Sequence, residues 1–302
     1  MMSRVENTRG VVEAGVVAAG DELAAMLRVS LIPGVGPRTL RSLLDRFGSP
    51  QGVLSASAAE LASVPGVGPK LSHEIRHAWH HVDDEKILGW CREHATELVI
   101  RGTASYPSLL NELPDAPPIL FARGTFLPQD QLAVAIVGTR HATSYGLKQA
   151  YRFATELAQA GVTIVSGLAR GIDAAAHRGA IDGGGRTLAV LGSGMANLYP
   201  PEHKELAESI REHGVVISEY APDAKPRSGM FPQRNRLISG LSLATFVVEA
   251  PERSGALITT RLASEQNREV LALPGPITSR ASRGCNHLIR DGAKLIQSVD
   301  DI

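Results

Sequence analysis

Five short segments of this 302-residue chain set small residues beside arginines, amides or an aromatic ring in a pattern suited to holding phosphate. They are Gly138-Thr139-Arg140; Ser166-Gly167 with Ala169-Arg170-Gly171; Gly192-Ser193-Gly194; Phe231-Pro232-Gln233-Arg234-Asn235-Arg236; and Ser254-Gly255. Glycine lets a ligand approach the main chain, turn N–H groups hold anions, and a guanidinium offers phosphate a bidentate fork. Phe231 supplies a face for stacking an unpaired base, and Gln233 and Asn235 supply amides for phosphates or base edges. Covalent and metal chemistry find no comparable set: the sequence has no nucleophile paired with a base, no acid pair and no metal-ligand spacing. His177, alone on an expected helix, reads as structural rather than as a general base. Glu219 and Glu249 close expected strands and are the carboxylates open to an enzymatic reading. Gly192-Ser193-Gly194-Met195-Ala196-Asn197 lacks the third glycine of a dinucleotide fingerprint, which argues against a nicotinamide-dependent dehydrogenase.

The elements around these residues follow from their apolar runs. Leu132–Val137, Val162–Val165 and Thr187–Leu191 are short, continuous and closed by small residues, as buried parallel strands are. Further strands are expected at Val215–Ser218, Ala244–Val248, Glu269–Ala272 and Lys294–Ile296. Helices are expected at Tyr145–Ala160, Ile172–Ile181, His203–His213, Asn235–Leu241, Gly255–Gln266 and Cys285–Asp291. This alternation predicts an α/β fold, an extended Rossmann-like, doubly wound and mostly parallel sheet, with the arginine-bearing turns on its carboxyl rim. Residues 96–131 are Pro-rich with short apolar pieces and read as edge strands and turns.

Residues 23–95 differ in texture. Pro33-Gly34-Val35-Gly36-Pro37 recurs as Pro65-Gly66-Val67-Gly68-Pro69, each copy between an apolar helix end and an amphipathic run. The duplication fits a small all-α helix-hairpin-helix (SAM-like) domain, with Arg38 and Lys70 placed to add charge. It also fits plain tight turns between helices. Residues 1–22 read as a flexible start. The formal net charge is zero, so any nucleic-acid site must be a local groove rather than a broad basic face. Lys225–Arg236 is the one basic, acid-free stretch. Two distant cysteines, Cys91 and Cys285, form no disulfide framework, and there is no apolar span or secretory leader, so a cytoplasmic protein is expected.

Taken in order, these segments resemble the DNA-processing protein A family (DprA, also called Smf). The resemblance is carried by Ala135–Arg140, Ser166–Asp173 with Ala176-His177, Ala189–Gly194 with Tyr199-Pro200, and Ile217–Tyr220. It continues through Phe231–Arg236, Val248–Ala250 with Ser254-Gly255, Pro274-Gly275, and Gly284–Ile289 with Gly292-Ala293. It implies a non-catalytic, homodimeric mediator that binds single-stranded DNA and loads a RecA-type recombinase onto strands covered by single-strand-binding protein during natural transformation. Cofactors and metals are not implied. It also implies phosphate contacts at the strand-end segments and a subunit contact near Leu288 and Ile289. Where some members carry a basic residue after the Tyr-Pro pair this chain has Pro201, with Lys204 three residues on. A winged-helix module found in many members is not expected here. Two rival readings stand beside this one: a small-nucleotide enzyme or sensor on the same sheet, and a duplex-binding protein acting through residues 31–79.

Overall fold

The computed structural model describes residues 21–302, so nearly all of the expected flexible start lies outside the described residues. The chain divides into two compact units, 1–94 with 117–119 and 95–116 with 120–302.

The first unit is helical. Helices α1 (Pro37–Phe47) and α2 (Pro69–Arg76) each start with proline after a glycine N-cap, Gly36 and Gly68. Proline suits that position because the first-turn N–H has no intrahelical partner. Gly34 and Gly66 sit at φ +92° and +85°, a left-handed conformation that lets each repeat turn sharply into its helix. Leu40, Leu43, Val53, Leu61, Val64 and Ile75 form the core.

The second unit is built on a nine-stranded sheet of order β1-β2-β6-β5-β4-β3-β7-β8-β9. Its central strands are β3 (Ala133–Gly138), β4 (Thr163–Ser166), β5 (Thr187–Val190), β6 (Gly214–Ser218) and β7 (Ala244–Glu249). Except for Gly138, at the end of β3, every residue of these five is buried, which is why they read as unbroken apolar or small runs. β8 (Glu269–Ala272) and β9 (Lys294–Leu295) extend the sheet in parallel beyond β7. β1 (Glu97–Ile100) and β2 (Ile119–Gly124) come from the Pro-rich zone, β2 pairing antiparallel with β6.

Helices α3 (Ser144–Gln159), α4 (Ile172–Asp182), α5 (Lys204–His213), α6 (Met230–Gly240), α7 (Ala256–Glu265) and α8 (Arg283–Arg290) connect the strands. One face of the sheet packs Val134, Ile136 and Phe246 against Ala150, Phe153 and Leu157 of α3. The other packs Ala135, Val137 and Val190 with Leu237 and Ile238 of α6 and Cys285 of α8. Both cysteines are buried thiols. α6 differs from expectation: it begins at Met230, so Phe231–Arg236 forms its first turns rather than the end of a loop. Pro232 is tolerated because N–H groups of a first turn have no carbonyl to pair with.

Candidate nucleic-acid interface

The strand order reverses at β3. Strands β4, β5 and β6 run off one side and β7, β8 and β9 off the other. At such a switch point the connections leave in opposite directions and open a crevice beyond the carboxyl ends. A cleft of about 670 Å³ occupies that position. Val137–His141 at the end of β3 and just beyond it line one wall, Pro251 and Arg253–Ala256 after β7 another, and Pro226–Ser228, Phe231, Pro232, Arg234 and Asn235 a third. A narrower recess adjoins it, bounded by Arg140, Gly167, Ala169, Arg170, Tyr199, Phe231 and Arg234.

Basic charge predominates in the cleft. Arg140, Arg227 and Arg253 are exposed, and among the described residues their guanidinium groups take no ion pair or hydrogen bond. Arg140 instead lies over the Phe231 ring, 5.3 Å from its centroid. Phe231 is tilted against Tyr199 at 5.6 Å, and Arg170 covers Tyr199 at 5.6 Å. The result is a surface ladder of arginine, two aromatic rings and arginine along the cleft lip. Cation–π contact fixes the guanidinium planes without neutralising them, so Arg140 remains available to an anion. Arg170 also donates to Glu202 and to the Tyr199 hydroxyl. The Arg170–Glu202 bridge is half exposed on both sides, so a phosphate can compete for it.

The carboxylate facing the cleft is Asp173, on the first turn of α4. Its Oδ2 accepts from the Gly167 and Ala169 N–H groups at 3.1 and 3.3 Å. Burial pushes its pKa up and the neighbouring Arg234 pulls against that rise. Arg234 is itself buried and donates to the carbonyls of Gly167 and Val190, joining α6 to the ends of β4 and β5. Desolvation lowers its pKa to about 10, which still leaves it a cation at neutral pH.

Of the residues singled out in the sequence, Gly138, Thr139, Arg140, Ala169, Phe231, Arg234, Asn235, Ser254 and Gly255 line the cleft, and Gly167 and Arg170 the recess. The others point elsewhere, for identifiable reasons. Arg236, expected to neutralise phosphate, is instead clamped by Glu219 at 2.6 Å and Asp115 at 3.2 Å. Arg234 is likewise a buried tie at the cleft floor rather than a free charge. Gly192 makes room for the Phe231 ring, and Gly194 for the carbonyls of Ala221 and Pro222. A Cβ at Gly167 would stand 2.6–2.7 Å from the Arg234 guanidinium. Gly171 packs on the backbone of Thr139 and Arg140. Ser166 donates to the Ile136 carbonyl, and Ser193 is buried with its carbonyl taken by Ser218. Lys204 and Gln233 are exposed and line neither the cleft nor the recess. Leu288 and Ile289 are half-buried against the core.

Arg227, Arg253 and Tyr199 are among the cleft-lining residues that escaped the sequence reading as site residues. Arg227 lay inside the recognised basic stretch, and Arg253 directly before Ser254-Gly255.

The residues open to an enzymatic reading are committed elsewhere. Glu219 holds Arg236, and Glu249 is buried, accepting from the Thr143 N–H and hydroxyl at 2.8 Å each. His177 is fully buried: its Nε2 accepts from the Leu168 N–H, which leaves Nδ1–H for Thr187 Oγ1 at 2.7 Å. Burial and the neighbouring His203 lower its pKa to about 3, so it is a neutral spacer between α4 and β5.

Residues 97–302 match the family model for DNA recombination-mediator protein A. The chain belongs to the DNA recombination-mediator protein A family. Protein Smf of Synechocystis sp. is 38% identical over 94% of this chain and 72% of its own length. DNA processing protein DprA of Bacillus subtilis is 40% identical over 72% of this chain and 73% of its own. The crystal structure of DNA processing protein A from Streptococcus pneumoniae superposes with a TM-score of 0.78 at 34% identity, covering 91% of this chain and 94% of that one. DNA processing protein A of Helicobacter pylori, described for its single-stranded DNA binding mode, superposes at 0.61 with 30% identity over 68% of this chain and 93% of its own. Residues 26–80 match a SAM-like helix-hairpin-helix tandem, which settles the repeated Pro-Gly-Val-Gly-Pro segments as hairpins of that kind. Among the described residues no helix is long and apolar enough to cross a membrane.

Proposed function

We propose that this member of the DNA recombination-mediator protein A family binds single-stranded DNA in the switch-point cleft and hands it to a recombinase, breaking no covalent bond itself. The observation that carries the reading is the charge arrangement: Arg140, Arg227 and Arg253 converge unpaired on one cleft, while Glu219 and Glu249 are bonded internally. Phosphates lie against these three arginines and Arg170, and the main chain at Gly255, where a Cβ would meet nothing within 4 Å, lets the strand approach. Unpaired bases stack on Phe231 and Tyr199 at the lip, so sequence preference is weak. Duplex binds less well, because a cleft of this size admits one strand. The Helicobacter pylori relative's single-strand binding mode supports the same ligand.

The proposed partners are a RecA-type recombinase, single-strand-binding protein and a second copy of the chain contacting through Leu288 and Ile289; the natural setting is DNA uptake. The test is recombinase filament assembly on single strands pre-coated with single-strand-binding protein. Wild-type protein accelerates assembly, and a folded Arg140→Ala/Arg253→Ala variant does not. No acceleration by wild type removes the mediator role.

A further inference from the structure

The carboxyl rim does not stop at the cleft. β8 lies beside β7 in parallel register, with Ala272 opposite Val247, about 4.8 Å further along the rim. Residues 274–282 leave β8 as an arch. The Asn286 amide closes it, donating to the Gly275 carbonyl at 2.9 Å while its Oδ1 accepts from the Gly275 N–H at 3.2 Å. Two further turns stiffen it, from Ser279 N–H to the Pro276 carbonyl and from Ser282 N–H to the Ser279 carbonyl. The arch holds Ile277 out in solvent at 86% exposure, whereas the next most exposed large apolar side chain among the described residues, Leu132, is at 50%. Arg280 and Arg283, on the arch and the first turn of α8, are exposed and take no ion pair or hydrogen bond among the described residues.

The arch adjoins the cleft directly. The Gly284 N–H donates to the Ala250 carbonyl at 2.8 Å, and a Cβ at Gly284 would stand 3.1 Å from the Pro251 carbonyl. Pro251 and Arg253 line the cleft, so Arg283 begins where the cleft wall ends. Opposing charge here comes from Glu252, which lies 4.0 Å from His287. Three unpaired arginines therefore run from cleft to arch, with an apolar tip among them. That chemistry fits a polyanion with hydrophobic faces, the description of an unpaired nucleic-acid strand.

We propose that the single-strand path continues past the cleft over the β8–α8 arch, where Arg280 and Arg283 hold phosphates and Ile277 contacts a base face. The proposal rests on the cleft being a single-strand site, and oligonucleotide length separates the two. From β5 to β7 the rim covers three inter-strand spacings, about 14 Å, which a tetranucleotide spans at about 3.4 Å per nucleotide. A twenty-nucleotide strand reaches the arch as well.

The experiment measures binding of fluorescent oligothymidylates of those two lengths by anisotropy across a salt series. For a folded Arg280→Ala/Arg283→Ala variant, tetramer affinity stays within twofold of wild type. The 20-mer loses five- to thirtyfold at low salt, and its log–log salt slope falls by about 1.4, at roughly 0.7 per phosphate on a single strand. Ile277→Ser weakens the 20-mer two- to fivefold with the slope unchanged. An unaltered 20-mer affinity and slope in the double variant overturn the proposal, as does an equal loss on both lengths, which would make the two arginines part of the general field. Wild-type protein that binds neither length overturns the cleft reading itself.

Discussion

Gly167 directly follows β4, where a phosphate-binding glycine is expected, yet its Cα faces Arg234. Replacing it with alanine separates the two roles. The new Cβ would sit 2.6–2.7 Å from three atoms of a guanidinium that is only 3% exposed and tied to two strand-end carbonyls. The group cannot swing away as a surface side chain would. Overpacking of this kind costs about 1–3 kcal/mol. Displacing Arg234 also breaks hydrogen bonds to a charged donor, each about 1.5–3 kcal/mol, and strips Asp173 of its neighbouring cation. A loss of about 3–5 kcal/mol is the expected total. For a unit of this size each kcal/mol moves the midpoint by about 2–4 °C, so Gly167→Ala lowers the melting temperature by about 6–20 °C. Gly255→Ala is the matched contrast. It lies at φ −60°, ψ −23° at the start of α7, and a Cβ there meets nothing within 4 Å. It leaves the melting temperature unchanged or slightly raised, and weakens single-strand binding if the strand backbone approaches there. Calorimetry and anisotropy on both variants decide. A Gly167→Ala protein that melts within 2 °C of wild type but has lost its oligonucleotide would refute the argument and give that glycine to the ligand.

Arg140→Ala should weaken oligothymidylate binding by about 1–3 kcal/mol and flatten the salt slope by about 0.7, with melting unchanged. Arg236→Ala should do the reverse, destabilising by about 1–3 kcal/mol because the half-buried Glu219 and Asp115 lose their hydrogen bonds to a charged donor, as urea unfolding would show. Glu202→Gln should free Arg170 and raise low-salt affinity by up to a few-fold; a weaker affinity would mean that Glu202 organises the site. His177 should contribute to acid sensitivity. Its folded pKa of about 3 lies below the unfolded value near 6.5, so the unfolded chain takes up the proton first. Stability present above pH 6.5 is therefore lost as pH falls toward 3, by about 1.4 kcal/mol per unit. His177→Asn, which keeps a donor and an acceptor, should flatten that limb in unfolding curves taken from pH 7 to 4.

The strands and the rim they define were legible because central parallel strands, covered on both faces, must be unbroken apolar runs. Glu269–Ala272 falls on the expected residues, β3 and β4 shift by one, and β5 starts as expected and ends one residue early. The start of α6 was hidden because Pro232 reads as a loop residue unless it occupies a first turn. The site was legible as a set of turns but not as a division of labour. A glycine at a strand end says that something comes close, not whether it is a ligand or the chain's own Arg234 or Phe231. An arginine's freedom depends on partners remote in sequence: Arg236 is neutralised partly by Asp115, while Arg227 and Arg253 stand open with nothing local to mark them apart.

The most direct test of the central claim is the affinity of the whole chain for a labelled single strand and for the matching duplex, measured by anisotropy at several salt concentrations. Tighter binding to the single strand is expected at every salt concentration, with a log–log slope corresponding to at least three phosphates and a fall of about 2 in that slope in an Arg140→Ala/Arg227→Ala/Arg253→Ala variant, at roughly 0.7 per contact. Equal or tighter binding to duplex, or a triple variant that binds like wild type, would contradict it.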